Sequence, residues 1–321
     1  MKNLPARYYA MLKHWTAMAG GRSYWHQQQG IGRAFRPGEL HGYFNDLTAK
    51  AVWPGEVDAM GLPLCKAAGR KIYWPTTVLQ KGLAHWDLWL ESGRSAEEHW
   101  NNFRNVAQWA LETQDARGGW AHPVPLSPHA LSVYSCMSQG QGISLLMRAW
   151  RETGEAEYLE AATRAVHAML APVSCGGTSV QEGQHIVLDE YPNPEFRPVL
   201  NGWIFAIFGL YDHQLGAYSQ ELTAALDATL RGLLLYLPKF DCGFWSFYDT
   251  GGSIASPFYH ALHIAQLDAL SRAIAGSRDH FEYWRDRFRQ QMASRLKTTC
   301  AVGWKAAQKL RHPPTMVLET Q

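Results

Sequence analysis

Paired helical segments recur along most of this chain, and they restrict its fold more than any other sequence feature. From residue 75 onward, apolar residues return at three- and four-residue spacing, as one face of a helix requires. The first helix of each pair begins near residue 75, 139, 199 or 257, and the second near residue 95, 155, 218 or 277. Four helical hairpins repeated at a step of about 60 residues predict a mostly α fold, an incomplete α/α toroid, with a plain helical array as the alternative.

Three long segments separate the hairpins, and their composition differs from that of ordinary linkers. Each mixes Gly and Pro with aromatic residues, and short β segments are predicted at HIVL (185–188) and FWSFY (244–248). In a toroid the three segments would emerge at one mouth, together with the N-termini of the first helix of each hairpin. Because long loops within a compact domain usually carry function, we expect the functional site at this mouth.

The chain therefore divides into three regions. Residues 1–71 are predicted to form a short amphipathic N-terminal helix and an irregular, partly β cover over one end of the toroid. Residues 72–297 contain the hairpins, and residues 298–321 are predicted to be a C-terminal tail. We interpret the basic cluster of that tail as solvated, with attraction to a membrane surface as the alternative; its members are Lys305, Lys309 and Arg311.

Composition narrows the possible partners. The formal net charge is only +2, which argues against a nucleic-acid-binding protein and against a densely sulfated ligand. The chain has 14 Trp, 14 Tyr and 12 Phe, which is typical of carbohydrate-binding proteins, although aromatic residues also fill ordinary cores. Five cysteines without a CxxC pair are interpreted as reduced thiols of a cytoplasmic protein. No apolar run approaches the ~20 residues that span a bilayer.

Two helix starts carry capping signals. Ser95–Glu98 predicts a capping box for the second helix. Ser256 is expected at the N-cap of a later helix and Pro257 at its first position. Tyr259 then lies in the first turn, where the helix dipole would lower the pKa of its phenol, and His263 lies on the same face. The structural alternative is an ordinary helix start with a buried aromatic residue.

Two of the long loops supply further titratable side chains. The middle loop contains Asp189–Tyr191 directly before a turn, and the last loop contains Tyr248. Taken singly, these are ordinary turn residues. Together with Tyr259, they bring a carboxylate and three phenols to one mouth beside several helix N-termini, which suits an anionic ligand and proton transfer.

Signatures of metal, nucleotide and serine-hydrolase sites are missing from the sequence. It has no HExxH or Cys/His spacing typical of zinc, no GxGxxG or phosphate-binding loop before a helix, and no GxSxG. A metal site formed by His260 and His263, or by His122 with either of them, is therefore the weaker interpretation. We expect neither a metal nor a cofactor.

At these residues the chain resembles the C-terminal catalytic domain of the D-glucuronyl 5-epimerases, in a bacterial-type form. These enzymes convert glucuronate to iduronate within heparosan-type chains. Two patterns are specific when they occur together: Glu-Tyr-Pro followed by Leu-Asn-Gly, and Tyr-His-x-x-His-Ile-x-Gln-Leu. The matching stretches are IYWPTTVLQKGLAHWD (72–87, the weakest), QDARGGW (114–120), YSCMSQGQGISLLMRAW (134–150), DEYPNPEFRPVLNGWIFAIFGLYD (189–212), FWSFYDTG (244–251) and FYHALHIAQLDAL (258–270).

The resemblance implies a cofactor-independent isomerase with an incomplete α/α barrel and a uronic-acid-containing glycan as its partner. Two departures matter. Animal members have a larger N-terminal β region without a counterpart here, and they carry an arginine shortly after the Tyr-Asp of the last loop, where this chain has Thr250–Gly252. A positive partner for the substrate is therefore either missing or expected from elsewhere, from Arg197 or Arg36. The family's catalytic residues carry over onto Glu190, Tyr191, Tyr248 and Tyr259.

Inversion of carbon 5 of a uronate needs two proton-transfer groups on opposite ring faces and hydrogen-bond donors around the carboxylate. We expect Glu190 and Tyr259 to be the opposed pair. Tyr191 and Tyr248 are expected to hold the ring and the intermediate or to share proton transfer. Trp120 is the expected stacking platform. The other substrate-binding candidates are Gln139, Gln141, Arg197, Asn201, His260 and His263.

The alternatives are a uronate polysaccharide lyase, which begins with the same proton abstraction, and a non-catalytic glycan-binding module. The expected glycan is a polysaccharide or a lipid-linked oligosaccharide, in the cytoplasm or at the cytoplasmic face of the inner membrane. Peripheral membrane association would then come through the lipid-linked substrate. A homodimer is a further expectation.

Overall fold

Four helical hairpins form the body of the chain, as the periodicity predicts. The computed structural model describes residues 23–67, 69–125, 127 and 129–312, together with residues 9 and 16. The rest of the predicted N-terminal helix lies outside these residues. In chain order the hairpin helices are α1 Pro75–Glu91, α2 Glu97–Thr113, α3 Cys136–Thr153, α4 Ala156–Leu170, α5 Leu200–Gly216, α6 Gln220–Tyr236, α7 Pro257–Ala273 and α8 Arg278–Met292.

The first helix of each hairpin lies inside and the second lies outside. α1, α3, α5 and α7 contact one another in that order, and each also packs against the outer helix of its own hairpin. Gly140 and Gly209 lie where α3 and α5 meet: a Cβ on Gly140 would come within 2.4 Å of the Phe205 carbonyl oxygen. The hairpins therefore form an incomplete α/α toroid.

Burial explains the different compositions of inner and outer helices. α5 is apolar over most of its circumference and almost completely buried, whereas α4 buries one face only. Among the residues that the structure describes, no helix is long and apolar enough to cross a membrane. The apolar run in α5 is therefore the interior of the toroid.

A short 3-10 helix, Tyr24–His26, connects the first and fourth hairpins at the N-terminal ends of the inner helices. Trp25 Nε1 donates to Thr77 Oγ1 of α1 at 3.3 Å. The His26 ring packs edge-on against Phe258 of α7, with centroids 5.2 Å apart. This segment therefore bridges the open side of the toroid.

Residues 34–47 cover the C-terminal ends of the inner helices, as the sequence predicts for part of the N-terminal region. Phe44 stacks on Phe208 of α5 with ring centroids 4.0 Å apart. The His41 carbonyl oxygen accepts a hydrogen bond from Trp86 Nε1 of α1 at 2.9 Å. The cover therefore closes the end of the toroid that lies opposite the mouth.

Regular β structure in the described residues is limited to two antiparallel hairpins. β1 (Cys65–Ala67) pairs with β2 (Arg70–Ile72), and β3 (Ser179–Glu182) pairs with β4 (His185–Leu188). The predicted HIVL strand is confirmed as β4. The FWSFY segment forms isolated bridges instead of a strand, because its loop folds back on itself within a few residues.

The C-terminal region differs from its prediction. Arg295–Arg311 forms a further helix, α9, which packs against α7 and α8. Gln308 ties α9 to the last loop: its Nε2 donates to the Gly252 carbonyl oxygen at 2.8 Å, and its Oε1 accepts from Ile254 N at 2.9 Å. The basic cluster therefore belongs to the folded domain, and its interpretation as a solvated tail is wrong.

The predicted capping box of the second helix is also wrong. α2 begins at Glu97, and its N-cap Ala96 has no side chain that could accept a hydrogen bond. The Ser95 hydroxyl donates instead to the Ser92 carbonyl oxygen at 2.7 Å. Ser95 thus hydrogen-bonds with the end of α1, whereas the pattern predicts it at the start of α2.

Candidate active site

The mouth of the toroid lies at the N-terminal ends of the inner helices. β4 leads into it: Asp189 N donates to the Thr178 carbonyl oxygen at 2.9 Å, and the Asp189 carbonyl oxygen accepts from Cys136 N at 3.3 Å. Because Cys136 is the first residue of α3, this contact fixes the middle loop to that helix start. Glu190 and Tyr191, which follow, are therefore held at the mouth as predicted.

Gly202, in the first turn of α5, lets the Glu190 carboxyl group lie directly against that helix. A Cβ on Gly202 would come within 2.2 Å of Glu190 Oε2. Asn201 lies in the same turn and is buried, and its Oδ1 has no hydrogen-bond partner among the described residues. The start of α5 therefore presents an unpartnered amide oxygen in the turn that contacts Glu190.

The last loop brings Tyr248 to the same helix start. The Tyr248 carbonyl oxygen accepts from Leu200 N, the first residue of α5, at 3.1 Å, and Tyr248 N donates to the Ser253 carbonyl oxygen at 2.6 Å. A β-bridge between Val199 and Asp249 extends this contact. The backbone therefore fixes the loop beside the turn that holds the carboxyl group.

α7 supplies Tyr259 from its first turn, as predicted. Ser256 is the N-cap, and its hydroxyl accepts from Tyr259 N at 3.4 Å. The Tyr259 ring meets the Tyr248 ring edge to face, with centroids 4.7 Å apart, and lies 5.9 Å from the His26 ring. The structure thus brings together the four predicted catalytic side chains, Glu190, Tyr191, Tyr248 and Tyr259.

The pKa of Glu190 is determined mainly by burial, because no cation of the described residues contributes to it. The residue is 5% exposed, and its Oε2 has no hydrogen-bond partner among the described residues. Burial raises the pKa of Glu190 to about 7; the hydrogen bond from the Tyr191 hydroxyl opposes this rise, and the charge of Asp189 adds to it. Glu190 therefore populates both its protonated and its ionised form near neutral pH.

The three phenols are held in their neutral form. Burial raises the pKa of Tyr191, Tyr248 and Tyr259 above the ordinary value, and the negative charge of Glu190 adds to the rise in each. The prediction that the helix dipole lowers the pKa of Tyr259 is wrong, because burial beside a carboxylate outweighs the dipole. The Tyr248 hydroxyl is in hydrogen-bonding contact with the hydroxyls of Tyr191 and Tyr259.

His263 and Gln141 are buried on the inner helices. His263 Nδ1 hydrogen-bonds with Ser246 Oγ at 3.0 Å, and its Nε2 has no partner among the described residues. Burial lowers the pKa of His263, so the ring is neutral. Gln141 is fully buried and lies against Tyr43 of the cover. His263 therefore remains a candidate ligand, whereas Gln141 faces the closed end.

Three other predicted ligands are packed inside the protein, and their assignment as substrate contacts is corrected. Trp120 is 1% exposed and donates from Nε1 to the Ala110 carbonyl oxygen, so it offers no ring face to a sugar. The Gln139 amide bonds the backbone of Trp120. His260 stacks on Trp245, and both of its ring nitrogens bond within the protein. Each of these three side chains therefore packs and hydrogen-bonds within the core.

Positive charge reaches the mouth from α9. Lys305 Nζ lies 5.7 Å from the centroid of the Tyr248 ring. A cleft of about 630 Å³ runs from Tyr248 between the last loop and α9, and Arg197 lines it. Arg36 instead pairs with Glu39 in the cover at the opposite end. Lys305 was not among the predicted site residues.

The three histidines considered as metal ligands do not converge. His122 Nε2 hydrogen-bonds with Ser138 Oγ at 3.2 Å, whereas His260 and His263 share Ser246 Oγ. Within the described ranges, no group of three or more His, Cys, Asp or Glu side chains could hold a metal ion. The polar contacts of these histidines are thus to serines and, for His260 Nε2, to the Phe288 carbonyl oxygen.

Fold and site together define the class of the protein, an α/α-toroid domain whose mouth brings the buried Glu190 carboxyl group beside three neutral phenols. Residues 116–290 match the family described as D-glucuronyl C5-epimerase C-terminus. Since the match covers more than half of the chain, the chain belongs to this family. The matched region contains all four predicted catalytic residues.

Two relatives and one solved structure are similar to this chain. The D-glucuronyl C5-epimerase of Caenorhabditis elegans is 31% identical over 196 residues, 53% of this chain and 32% of that protein. An uncharacterised protein of Methanocaldococcus jannaschii is 27% identical over 135 residues, 41% of this chain and 44% of that protein. A UGL variant with dGlcA-Glc-Rha-Glc aligns at a TM-score of 0.45 and 12% identity, over 68% of this chain and 60% of that chain. The chain thus spans less than half the length of either relative.

Proposed function

We propose that this protein is a cofactor-independent epimerase that inverts carbon 5 of a uronic acid residue within a glycan, of the glucuronate-to-iduronate type. The observation that carries the proposal is Glu190, a buried carboxyl group with an unpartnered oxygen and a pKa raised by burial to about 7, beside neutral phenols. A group that exchanges its proton near neutral pH suits removal of the weakly acidic proton at carbon 5. Membership of the family supports the same chemistry.

In the proposed reaction the Glu190 carboxylate takes the proton from carbon 5. The electron pair of the broken C–H bond moves into the adjacent carboxylate of the uronate, which then carries two negative charges. The Tyr259 phenol donates a proton to the opposite face of carbon 5. The N-termini of α5 and α7 would stabilise the intermediate.

Each inversion leaves Glu190 protonated and Tyr259 ionised, so the site must be reset. The hydrogen-bonding contacts of Tyr248 with Tyr191 and Tyr259, and of Tyr191 with Glu190, support a return path. Each phenol would pass on one proton and receive another. In this proposal the two central phenols hold the sugar ring and also restore the acid and the base.

Proton exchange in heavy water tests the proposed activity. Incubation with a panel of unsulfated uronic-acid oligosaccharides is expected to introduce deuterium at carbon 5, as detected by NMR and mass spectrometry. Full exchange in both Glu190→Gln and Tyr259→Phe would contradict the assigned roles. Binding of a uronic-acid glycan without exchange on any member of the panel would indicate a non-catalytic glycan-binding module.

The same samples distinguish an epimerase from a uronate polysaccharide lyase. Both begin with proton abstraction at carbon 5, but a lyase expels the group at carbon 4 and leaves an unsaturated sugar. We expect the ultraviolet absorbance to stay flat while deuterium accumulates. A rise in absorbance would replace the epimerase proposal with a lyase.

We assign the reaction to the cytoplasm, on a polysaccharide or on a lipid-linked oligosaccharide at the inner face of the inner membrane. Five free cysteines support a reducing compartment. Cell fractionation tests the compartment and the proposed peripheral association with the membrane. Sedimentation of the purified protein tests the proposed homodimer.

A further inference from the structure

Two of the phenols at the mouth belong to different segments, Tyr248 to the last loop and Tyr259 to α7. Their ring centroids lie 4.7 Å apart, and their hydroxyl groups are in hydrogen-bonding contact. The backbone hydrogen bonds of Tyr248 go to Leu200 of α5 and to Ser253 of its own loop. The relative position of the two phenols therefore depends also on the contacts that hold the last loop against α7.

Ser246, two residues before Tyr248, connects the last loop to α7. Its backbone N donates to His260 Nδ1 at 3.2 Å, and its Oγ lies 2.8 Å from the same nitrogen and 3.0 Å from His263 Nδ1. The neighbouring Trp245 stacks on the His260 ring, with centroids 3.8 Å apart. Ser246 and the two histidines are fully buried. We call these three residues the serine–histidine cluster.

The partner of His260 Nε2 determines which atoms donate in the serine–histidine cluster. That partner is the Phe288 carbonyl oxygen at 2.9 Å, which can only accept, so Nε2 carries a proton. Burial lowers the pKa of His260 to about 4 and also lowers that of His263, so both rings are neutral near pH 7. His260 Nδ1 is therefore an acceptor, in agreement with the donation from Ser246 N.

The Ser246 hydroxyl has a single proton, and this determines the remaining hydrogen bond of the cluster. Because His260 Nδ1 accepts, the hydroxyl donates across the 2.8 Å contact. With no second proton on the hydroxyl, His263 Nδ1–H must donate to Ser246 Oγ. Donation thus runs from His263 through Ser246 to His260 and ends at the Phe288 carbonyl oxygen of α8. The last loop is therefore bound to two side chains of α7 in one defined arrangement.

We propose that Ser246 is a positioning residue, which keeps Tyr248 in contact with Tyr259 by binding the last loop to His260 and His263. This inference rests on the proposed function, since that function assigns proton donation to Tyr259 and its resupply to a path through Tyr248. The two histidines follow Tyr259 by one and four residues on the same helix, so a loop bound to them keeps its distance from Tyr259. Ser246 acts through the two tyrosines, and the proposal requires no contact between Ser246 and the glycan.

Rates of exchange at carbon 5 test the positioning role. Ser246→Ala removes the hydroxyl, and kcat is expected to fall about tenfold, because a displaced phenol transfers its proton more slowly. His263→Leu removes the donor to the hydroxyl and is expected to lose about as much. His263→Asn, whose amide can donate from the position of Nδ1, is expected to keep most of the rate. Ser271→Ala, which removes another buried hydroxyl near the C-terminal end of α7, is the matched control and is expected to keep the wild-type kcat.

Two NMR signatures separate positioning from a general loss of structure. With carbon-13 at Cζ of tyrosine, the Tyr259 signal, assigned from Tyr259→Phe, is expected to shift in Ser246→Ala and to stay in place in Ser271→Ala. With nitrogen-15 in histidine, the wild-type protein is expected to show the proton of His260 on Nε2 and that of His263 on Nδ1. The histidine measurement uses the wild-type protein and therefore keeps the test valid if Ser246→Ala fails to fold.

A wild-type kcat or an unmoved Tyr259 signal in Ser246→Ala would overturn the positioning role, and so would a proton on Nε2 of His263. Equal losses in His263→Asn and His263→Leu would also overturn it, because His263 would then act through Nε2. Absence of exchange in the wild-type protein would instead remove the epimerase. The histidine protons and the Tyr259 signal would in that case still test how the last loop is held.

Discussion

Two buried carboxyl groups at opposite ends of the toroid have contrasting surroundings. Asp212, towards the C-terminal end of α5, is 1% exposed and accepts hydrogen bonds from Arg148 at 2.5 and 3.4 Å. The other guanidinium hydrogen bonds of Arg148 go to backbone carbonyl groups of α3 and of the cover. Glu190, at the mouth, is 5% exposed, and no cation of the described residues contributes to its pKa.

This difference separates a carboxyl group that is paired with a cation from one that is not. Pairing with Arg148 opposes the rise in pKa that burial causes at Asp212 and ties α3, α5 and the cover together. At Glu190 no cation opposes burial, and the pKa rises to about 7. Burial raises the pKa of both groups, and at Glu190, where no cation opposes it, a pKa of about 7 lets the group gain and lose a proton near neutral pH.

The largest expected effect is on catalysis at the mouth. Glu190→Gln keeps the size of the side chain and removes its titration, so the rate of exchange at carbon 5 is expected to fall about 10³-fold. Glu157→Gln, at an exposed position of α4, is the matched control and is expected to keep the wild-type rate. A Glu190→Gln rate close to that of the wild type would remove the distinction between the two carboxyl groups.

At the opposite end, the expected effect is on stability. Arg148→Met leaves Asp212 buried without its partner and is expected to lower the free energy of unfolding by about 3–5 kcal/mol. The double variant Arg148→Met/Asp212→Leu is expected to recover much of this loss, because neither charge of the pair remains. Denaturant unfolding measures both variants. A loss below about 1 kcal/mol in Arg148→Met would show that the pair is not structural.

The dependence of stability on pH is expected to reveal the cost of the unpaired charge. Because folding raises the pKa of Glu190 from 4.5 to about 7, its contribution to stability is complete below pH 4.5 and is lost as the pH rises towards 7. Glu190→Gln is therefore expected to exceed the wild type by about 3 kcal/mol at pH 8 and to equal it at pH 4. Denaturant unfolding at both pH values checks this. A constant difference would contradict it, and Glu157→Gln is the control.

The smallest expected effect tests how the mouth positions its carboxyl group. Gly202→Ala would bring a Cβ within 2.2 Å of Glu190 Oε2, so the carboxyl group must move, and exchange is expected to fall about 10²-fold. Gly303→Ala, in α9 where a Cβ meets nothing within 4 Å, is expected to keep the rate and stabilise the helix by about 1 kcal/mol. Full exchange in Gly202→Ala would show that this contact does not position the group.

Local patterns predicted the hairpins and part of the site. The spacing of apolar residues predicted where α1, α3, α5 and α7 begin, because the start of a helix depends mainly on residues that are close in sequence. The N-cap Ser256 was found for the same reason, and it carries Tyr259 to the mouth. The pKa direction of Tyr259 was predicted wrongly, because it depends on burial and on Glu190, which is remote in sequence.

Residues whose role depends on packing were misassigned or missed. The polar and aromatic residues at the ends of the loops suggested substrate contacts. Trp120 and His260 are instead buried in the core, and the local sequence does not show whether such a side chain is buried. Lys305 was missed because the toroid was predicted to end at residue 297. For His26 no sequence signal was present.

Titration of the Glu190 carboxyl group tests the central claim most directly. Carbon-13 NMR of protein labelled at the glutamate carboxyl carbons, assigned by comparison with Glu190→Gln, follows this group while carbon-5 exchange is measured over the same pH range. We expect the carboxyl group to titrate near pH 7 and the exchange rate to rise with pH around the same midpoint, because the carboxylate is the base. A carboxyl group that titrates near 4.5, with an exchange rate that does not follow it, would contradict the account.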